Sequence, residues 1–253
     1  MKKLITLLMV TLLCTGATFA QRGSQTGRGH SQGGSASKKS TVFYLGPKVG
    51  ATFTTMTQPD QCDLYDAMGI GFSAGVTAKA RFGRASDLSP AGTGKFGAGL
   101  ELKYKQNNVK TIGIDEDGKQ DANLNISYFE LPLFVQFYPF YKSDAMNTFY
   151  IEAGPDIAGT LSRSPKALTV DNLTGNFSAI SFKVDDLKGF DVRFLAGLGY
   201  EFAASKNSKH EAENLIGINA RYYMGTSKLA GNFASKMNTF EISLSWMFSL
   251  GKL

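Results

Sequence analysis

The stretch Phe240-Glu241-Ile242-Ser243-Leu244-Ser245-Trp246-Met247-Phe248 sets Phe240, Ile242, Leu244, Trp246 and Phe248 against Glu241, Ser243 and Ser245. Successive side chains of an extended chain point to opposite faces, so this alternation reads as a strand with one apolar and one polar side. A helical winding would scatter both classes around its axis. The same period recurs upstream in Phe43–Phe53, Ile70–Phe82, Phe96–Tyr104, Phe129–Phe137, Phe149–Leu161, Phe190–Phe202 and Ile216–Met224. Eight such segments, with no competing long helical period, predict an all-β chain folded as an eight-stranded antiparallel up-and-down barrel.

Alternation alone does not say which face is outside. A soluble lipocalin-like carrier turns its apolar face inward; an outer-membrane barrel turns it towards lipid. The apolar faces here are capped by aromatic pairs: Phe43/Phe53, Phe72/Phe82, Phe96/Tyr104, Phe129/Phe137, Phe190/Phe202 and Phe240/Phe248. A separation of about ten residues, at ~3.3 Å per residue and a tilt of ~40°, spans roughly 25 Å, the height of the lipid-facing band between aromatic girdles. The apolar face is therefore expected outside, and the barrel is expected to be transmembrane.

The opposite face carries Lys48, Lys79, Arg81, Lys103, Arg193 and Arg221 beside Glu101, Glu130, Glu152, Asp156, Asp191, Glu201 and Glu241. An eight-stranded barrel is only wide enough for side chains to fill it. Interspersed glycines on that face leave room for long charged side chains. The expectation is a polar, side-chain-filled lumen in which these thirteen residues form a structural charge network. No catalytic, cofactor-binding or metal-binding residue is assigned.

Composition agrees with this placement. Charged residues make up 19% of the 253 and glycines number 28, against usual fractions of about 25% and ~7%. The net charge of +6 at first suggests a nucleic-acid or anionic-surface partner. Six of the 27 basic residues, Lys2, Lys3, Arg22, Arg28, Lys38 and Lys39, fall within residues 1–41, which contain no acid, so 21 remain against 21 acidic residues. The body is neutral, and nucleic acid is not an expected partner.

The N-terminus explains the excess. Lys2-Lys3, the apolar run Leu4–Leu13 and the small residues around Ala17–Ala20 read as a signal peptide over residues 1–20. The apolar run is short for an anchor helix, and Leu13 before Cys14 is too bulky for lipoprotein processing. Residues 21–41 are rich in Gly, Ser and Gln with no aliphatic larger than Ala, a flexible basic tether. Residues 42–253 are expected to form the barrel domain. Cleavage leaves Cys62 as a lone thiol, without a partner for an intramolecular disulfide.

Several motifs fail on context. Gly92-Thr93-Gly94-Lys95-Phe96-Gly97 matches a dinucleotide fingerprint in letters but runs into an alternating strand, where a pyrophosphate site needs a helix N-terminus. Asp115-Glu116-Asp117-Gly118 resembles a calcium loop, yet with Gly118 at the sixth position the twelfth is Leu124, so the bidentate acid is missing and an exposed acidic turn is expected. His30 and His210 lie outside the strands and offer no triad. An enzyme built on Glu130, Glu152 or Asp191 alone is the least favoured reading.

These strands also carry a family resemblance. Tyr128-Phe129-Glu130-Leu131-Pro132-Leu133 is similar to the Tyr-Leu-Glu-Ile-Pro-Leu strand of the PorT-like outer-membrane barrel family. Around it Gly46-Pro47-Lys48-Val49-Gly50, Tyr150-Ile151-Glu152-Ala153-Gly154-Pro155, Phe190-Asp191 leading to Ala196-Gly197-Leu198-Gly199-Tyr200-Glu201-Phe202, and Arg221-Tyr222-Tyr223-Met224-Gly225 complete a similar order. The resemblance spans roughly residues 42–250 and implies an eight-stranded outer-membrane protein whose founding member is linked to protein secretion and surface motility. It brings no catalytic residues.

The expected function is thus a non-enzymatic barrel in the cell outer membrane, with no cofactor. It would anchor surface loops for adhesion or for an envelope or secretion assembly. Its expected partners are outer-membrane lipid and a protein reached through the outer loops, of which Ser162–Gly189 is the longest. The rival readings are a soluble periplasmic lipocalin-like carrier and a narrow porin-like channel.

Overall fold

β-branched and aromatic residues alternating with small or charged ones favour extended chain over helix, and the strands form where that alternation runs. The computed structural model describes residues 41–56, 68–82, 94–110, 114–115, 123–143, 146–164, 167–170, 180–183, 189–206, 212–226 and 236–252. Eight long strands build the wall: β1 (Thr41–Met56), β2 (Gly69–Phe82), β3 (Phe96–Lys110), β5 (Asn123–Phe137), β6 (Tyr150–Ser164), β9 (Phe190–Lys206), β10 (Ala212–Gly225) and β11 (Met237–Lys252). Each pairs antiparallel with its neighbours in the chain, and β1 pairs with β11 from Val42↔Lys252 to Met56↔Met237, closing the barrel. The up-and-down eight-stranded barrel is the observed architecture.

The apolar face points outward. Val49, Val76, Leu102, Val135, Leu198, Ile218 and Leu244 are all exposed, while the alternate positions are buried. This is the inverse of a lipocalin-like carrier, whose reading fails here. Strand register gathers the aromatics into two belts. Near the chain termini Phe96 and Phe137 are paired, with ring centroids 5.5 Å apart, and Phe82 and Phe248 lie at the same end. Near the opposite, loop end, Phe53 pairs with Phe240 at 6.3 Å and Phe72 packs on Tyr104 at 5.6 Å.

β3 and β5 continue past the loop-end belt, with pairing from Lys105↔Tyr128 to Lys110↔Asn123. The strand expected to end at Tyr104 is therefore longer. Its outward residues Gln106 and Asn108 are polar because they lie beyond the lipid band, so the hydrophobic signal stops while the backbone pairing continues.

A second, three-stranded sheet is made by loop-end connections. It joins β4 (Ile114–Asp115), β7 (Ala167–Val170) and β8 (Ile180–Lys183) in the order β4-β7-β8. Ile114 pairs with Thr169, and Ala167 with Lys183. The connection between β3 and β5 is thus tied to the one between β6 and β9. Asp115, read from sequence as the start of an acidic turn, is a strand residue; Glu116–Gly118 lie outside the described residues. So do the signal-peptide segment, residues 21–40 of the tether, His30, Cys62 and His210.

Candidate functional site: the charged lumen

Inward parity places Lys48 on β1, Lys79 and Arg81 on β2, Glu101 and Lys103 on β3, and Glu130 on β5. It also places Glu152 and Asp156 on β6, Asp191, Arg193 and Glu201 on β9, Arg221 on β10 and Glu241 on β11. All are buried except Asp191, which is half-buried at the start of β9. Lys105, one turn of the pleat beyond Lys103, is fully buried on the same face. The sequence reading missed it; the continuing Lys103-x-Lys105-x-Asn107 parity was the available signal.

Three tiers follow along the axis. In the loop-side tier, Arg193 donates through Nε to Asp156 at 3.0 Å, and its Nη2 bonds both Asp156 and Glu130. Lys103 donates to Glu241 at 2.8 Å and to the Tyr223 hydroxyl at 2.6 Å, and lies 3.5 Å from Glu130. Lys105 sits 3.4 Å from Glu241 and 3.6 Å from Glu130, with its ammonium 3.5 Å from the Tyr223 ring centroid.

In the middle tier Arg221 forks. Its Nε and Nη2 donate to the two oxygens of Glu152 at 2.5 and 3.1 Å, and Nη1 donates to Glu101 at 2.7 Å. Glu152 also accepts from Gln136 at 3.1 Å and Asn219 at 3.2 Å, and Lys48 donates to Glu101 at 2.8 Å. A bidentate guanidinium with amide donors satisfies a buried carboxylate far better than one ammonium would. Phe134, Leu195 and Tyr223 form an apolar cluster on this inner face, and the Arg221 guanidinium lies 4.8 Å from the Phe134 ring.

In the terminus-side tier Lys79 pairs with Glu201. Arg81 donates to the backbone carbonyls of Asn147 at 2.7 Å and Gly94 at 3.3 Å, and stacks 3.7 Å from the Tyr138 ring.

Glycines make the space. A Cβ on Gly99 would stand 2.5 Å from Phe134 Cζ, and one on Gly197 would stand 2.6 Å from the Ala220 carbonyl oxygen and 2.8 Å from Arg221 Cγ. Phe134 and Arg221, on the paired neighbouring strands, lie over these positions because they carry no side chain. Among the described residues no group of three or more His, Cys, Asp or Glu is arranged to hold a metal ion.

A closed sheet of eight antiparallel strands, apolar and aromatic outside and charged within, solves the problem of crossing a bilayer without unsatisfied backbone or a free edge. The protein is an eight-stranded β-barrel of the outer membrane. A family model described as outer membrane protein beta-barrel domain matches residues 19–231, and the chain belongs to that family. No curated protein matches it. Among solved structures, Neisserial surface protein A is 12% identical with a TM-score of 0.39, covering 81% of this chain and 96% of its own. OprG from Pseudomonas aeruginosa is 11% identical with a TM-score of 0.43, covering 84% and 96%. Ail, the attachment invasion locus protein of Yersinia pestis, is 12% identical with a TM-score of 0.34, covering 81% and 98%. At these identities the likenesses add nothing about function.

Proposed function

We propose that this chain is a non-enzymatic outer-membrane anchor whose closed, charge-filled barrel displays a loop sheet for adhesion or for an envelope or secretion assembly of the PorT-like kind. The observation that carries this reading is the contrast between the two ends of the molecule's function-bearing surface. Inside, the lumen carboxylates are held by cations, as Glu130 is by Arg193 and Lys103 and Glu152 by Arg221, which leaves them poorly suited to abstract a proton. At the loop end, two connections are spliced into one sheet, β4-β7-β8, a shaped surface raised on a rigid scaffold where binding residues are typically found. The signal peptide and tether expected from residues 1–41 fit the same reading.

Site-specific photocrosslinkers at Thr169 and Ser181 in intact cells test this directly. A discrete protein adduct formed from both positions, and not from Leu244 on the lipid face, is the expected result. Adducts to lipopolysaccharide or lipid alone from both positions would overturn it.

A further inference from the structure

The two halves of the wall share short motifs on three of their four strand pairs. Phe72-x-Ala74-Gly75-Val76 on β2 corresponds to Phe194-x-Ala196-Gly197-Leu198 on β9. Gly99-Leu100-x-x-Lys103-Tyr104 on β3 corresponds to Gly217-Ile218-x-x-Arg221-Tyr222 on β10. Phe129-Glu130-Leu131-x-Leu133 on β5 corresponds to Phe240-Glu241-Ile242-x-Leu244 on β11.

Sequence likeness between amphipathic strands is cheap, because any two share their alternation. Register is not, since a slip of two residues preserves the faces but breaks every row. Within each half the rows agree, and the seams between halves differ by two residues of stagger, Glu130 pairing with Ala158 and Glu241 with Thr52. In the first half the inner row is Lys48–Gly75–Lys103–Glu130. In the second it is Glu152–Gly197–Arg221–Glu241. The adjoining outer rows are Val49–Ala74–Tyr104–Phe129 and Ala153–Ala196–Tyr222–Phe240. Four strands separate each residue from its counterpart, a half-turn around eight.

Ion pairs also join the halves across the lumen. Lys103 of the first half reaches Glu241 of the second, and Arg221 of the second reaches Glu101 of the first. Lys79 and Glu201, which occupy corresponding positions, pair with each other, as residues beside a two-fold axis should. The halves have nevertheless taken opposite charge. In the first, Lys48, Lys79, Arg81, Lys103 and Lys105 outnumber Glu101 and Glu130. In the second, Glu152, Asp156, Asp191, Glu201 and Glu241 outnumber Arg163, Arg193 and Arg221.

We propose that the barrel is a duplicated four-stranded unit whose halves carry opposite lumen charge and clasp one another across a pseudo-two-fold axis. Each half then completes the other better than it would complete a copy of itself, because like-charged inner faces cannot share so narrow a lumen.

Corresponding contacts can therefore be exchanged between halves in the full chain. Lys48–Glu101 in the first half corresponds to Glu152–Asn219 in the second. One variant carries Lys48→Glu and Glu101→Asn, a second carries Glu152→Lys and Asn219→Glu, and a third carries all four. Each one-sided exchange shifts the lumen charge by one unit, in opposite directions, and the full exchange restores it at positions related by the half-turn. Refolded into phosphatidylcholine vesicles and titrated with urea, each one-sided variant is expected to unfold at lower denaturant, with the four-fold variant recovering at least half of their summed shift. A four-fold variant that loses the full sum or more would overturn the proposal. Should the one-sided variants fail to give the heat-modifiable folded band, its appearance in the four-fold variant supports the clasp. If the four-fold variant also fails, the Lys103→Arg/Arg221→Lys exchange decides. A folded band supports equivalence, and its loss overturns it. None of these readouts depends on a surface partner, so failure here is distinct from failure of the anchoring role.

Discussion

Arg221→Met removes the most heavily bonded cation in the lumen while keeping most of its volume. The guanidinium makes bonds of 2.5 and 3.1 Å to Glu152 and 2.7 Å to Glu101. Charge-assisted bonds contribute ~1.5–3 kcal/mol each, so three taken independently would come to roughly 4.5–9 kcal/mol. They do not act independently. Lys48 still holds Glu101, and Gln136 and Asn219 still donate to Glu152. The remaining cost is that of a buried carboxylate stripped of its counter-ion, about 3–5 kcal/mol. The assay is urea unfolding of vesicle-refolded protein followed by the fluorescence of Trp246, the single tryptophan, which faces lipid. At a slope of about 2 kcal/mol per M the midpoint falls by roughly 1.5–2.5 M. Adding Glu152→Gln removes the orphaned charge, and the double variant should recover at least ~1 kcal/mol of the loss. A single-variant shift below about 0.5 M at that slope, or strict additivity in the double variant, would refute the claim that these ions are mutually compensating.

Two further outcomes concern the wall. Gly99→Val places a branched side chain where a Cβ would already stand 2.5 Å from Phe134 Cζ and 2.7 Å from the Ala78 carbonyl oxygen; it should abolish the heat-modifiable band, and Phe134→Ala added to it should not restore the band, because the backbone oxygen stays in place. Leu244→Arg, midway between the belts at Phe240 and Phe248, should cost ~2–4 kcal/mol in vesicles, whereas Leu250→Arg, beyond Phe248, should cost ~0–1; equal urea midpoints for the two would contradict the placement of the lipid band.

The strands were legible because two solvents act on them. Lipid outside demands apolar residues and a narrow lumen takes charged groups that find partners, so Phe240–Phe248 and Phe190–Phe202 alternate except where Met247 and Leu195 face inward. Where that contrast ends, legibility ends. β3 beyond Tyr104 has Lys105 and Asn107 inside but Gln106 and Asn108 outside, so both faces are polar and period two carries no hydrophobic signal. β4, β7 and β8 are two to four residues long, too short for any periodicity to register. Which face held the charges was readable from composition. Which cation met which carboxylate was not. Lys79 and Glu201 lie 122 residues apart, and their meeting depends on the stagger of every intervening strand.

Closure of the lumen by its own side chains is the claim on which the anchoring role stands. Planar-bilayer recording of the refolded full-length protein tests it most directly. Insertion without discrete unitary currents is the predicted result, and stable unitary openings from the wild-type barrel would contradict it.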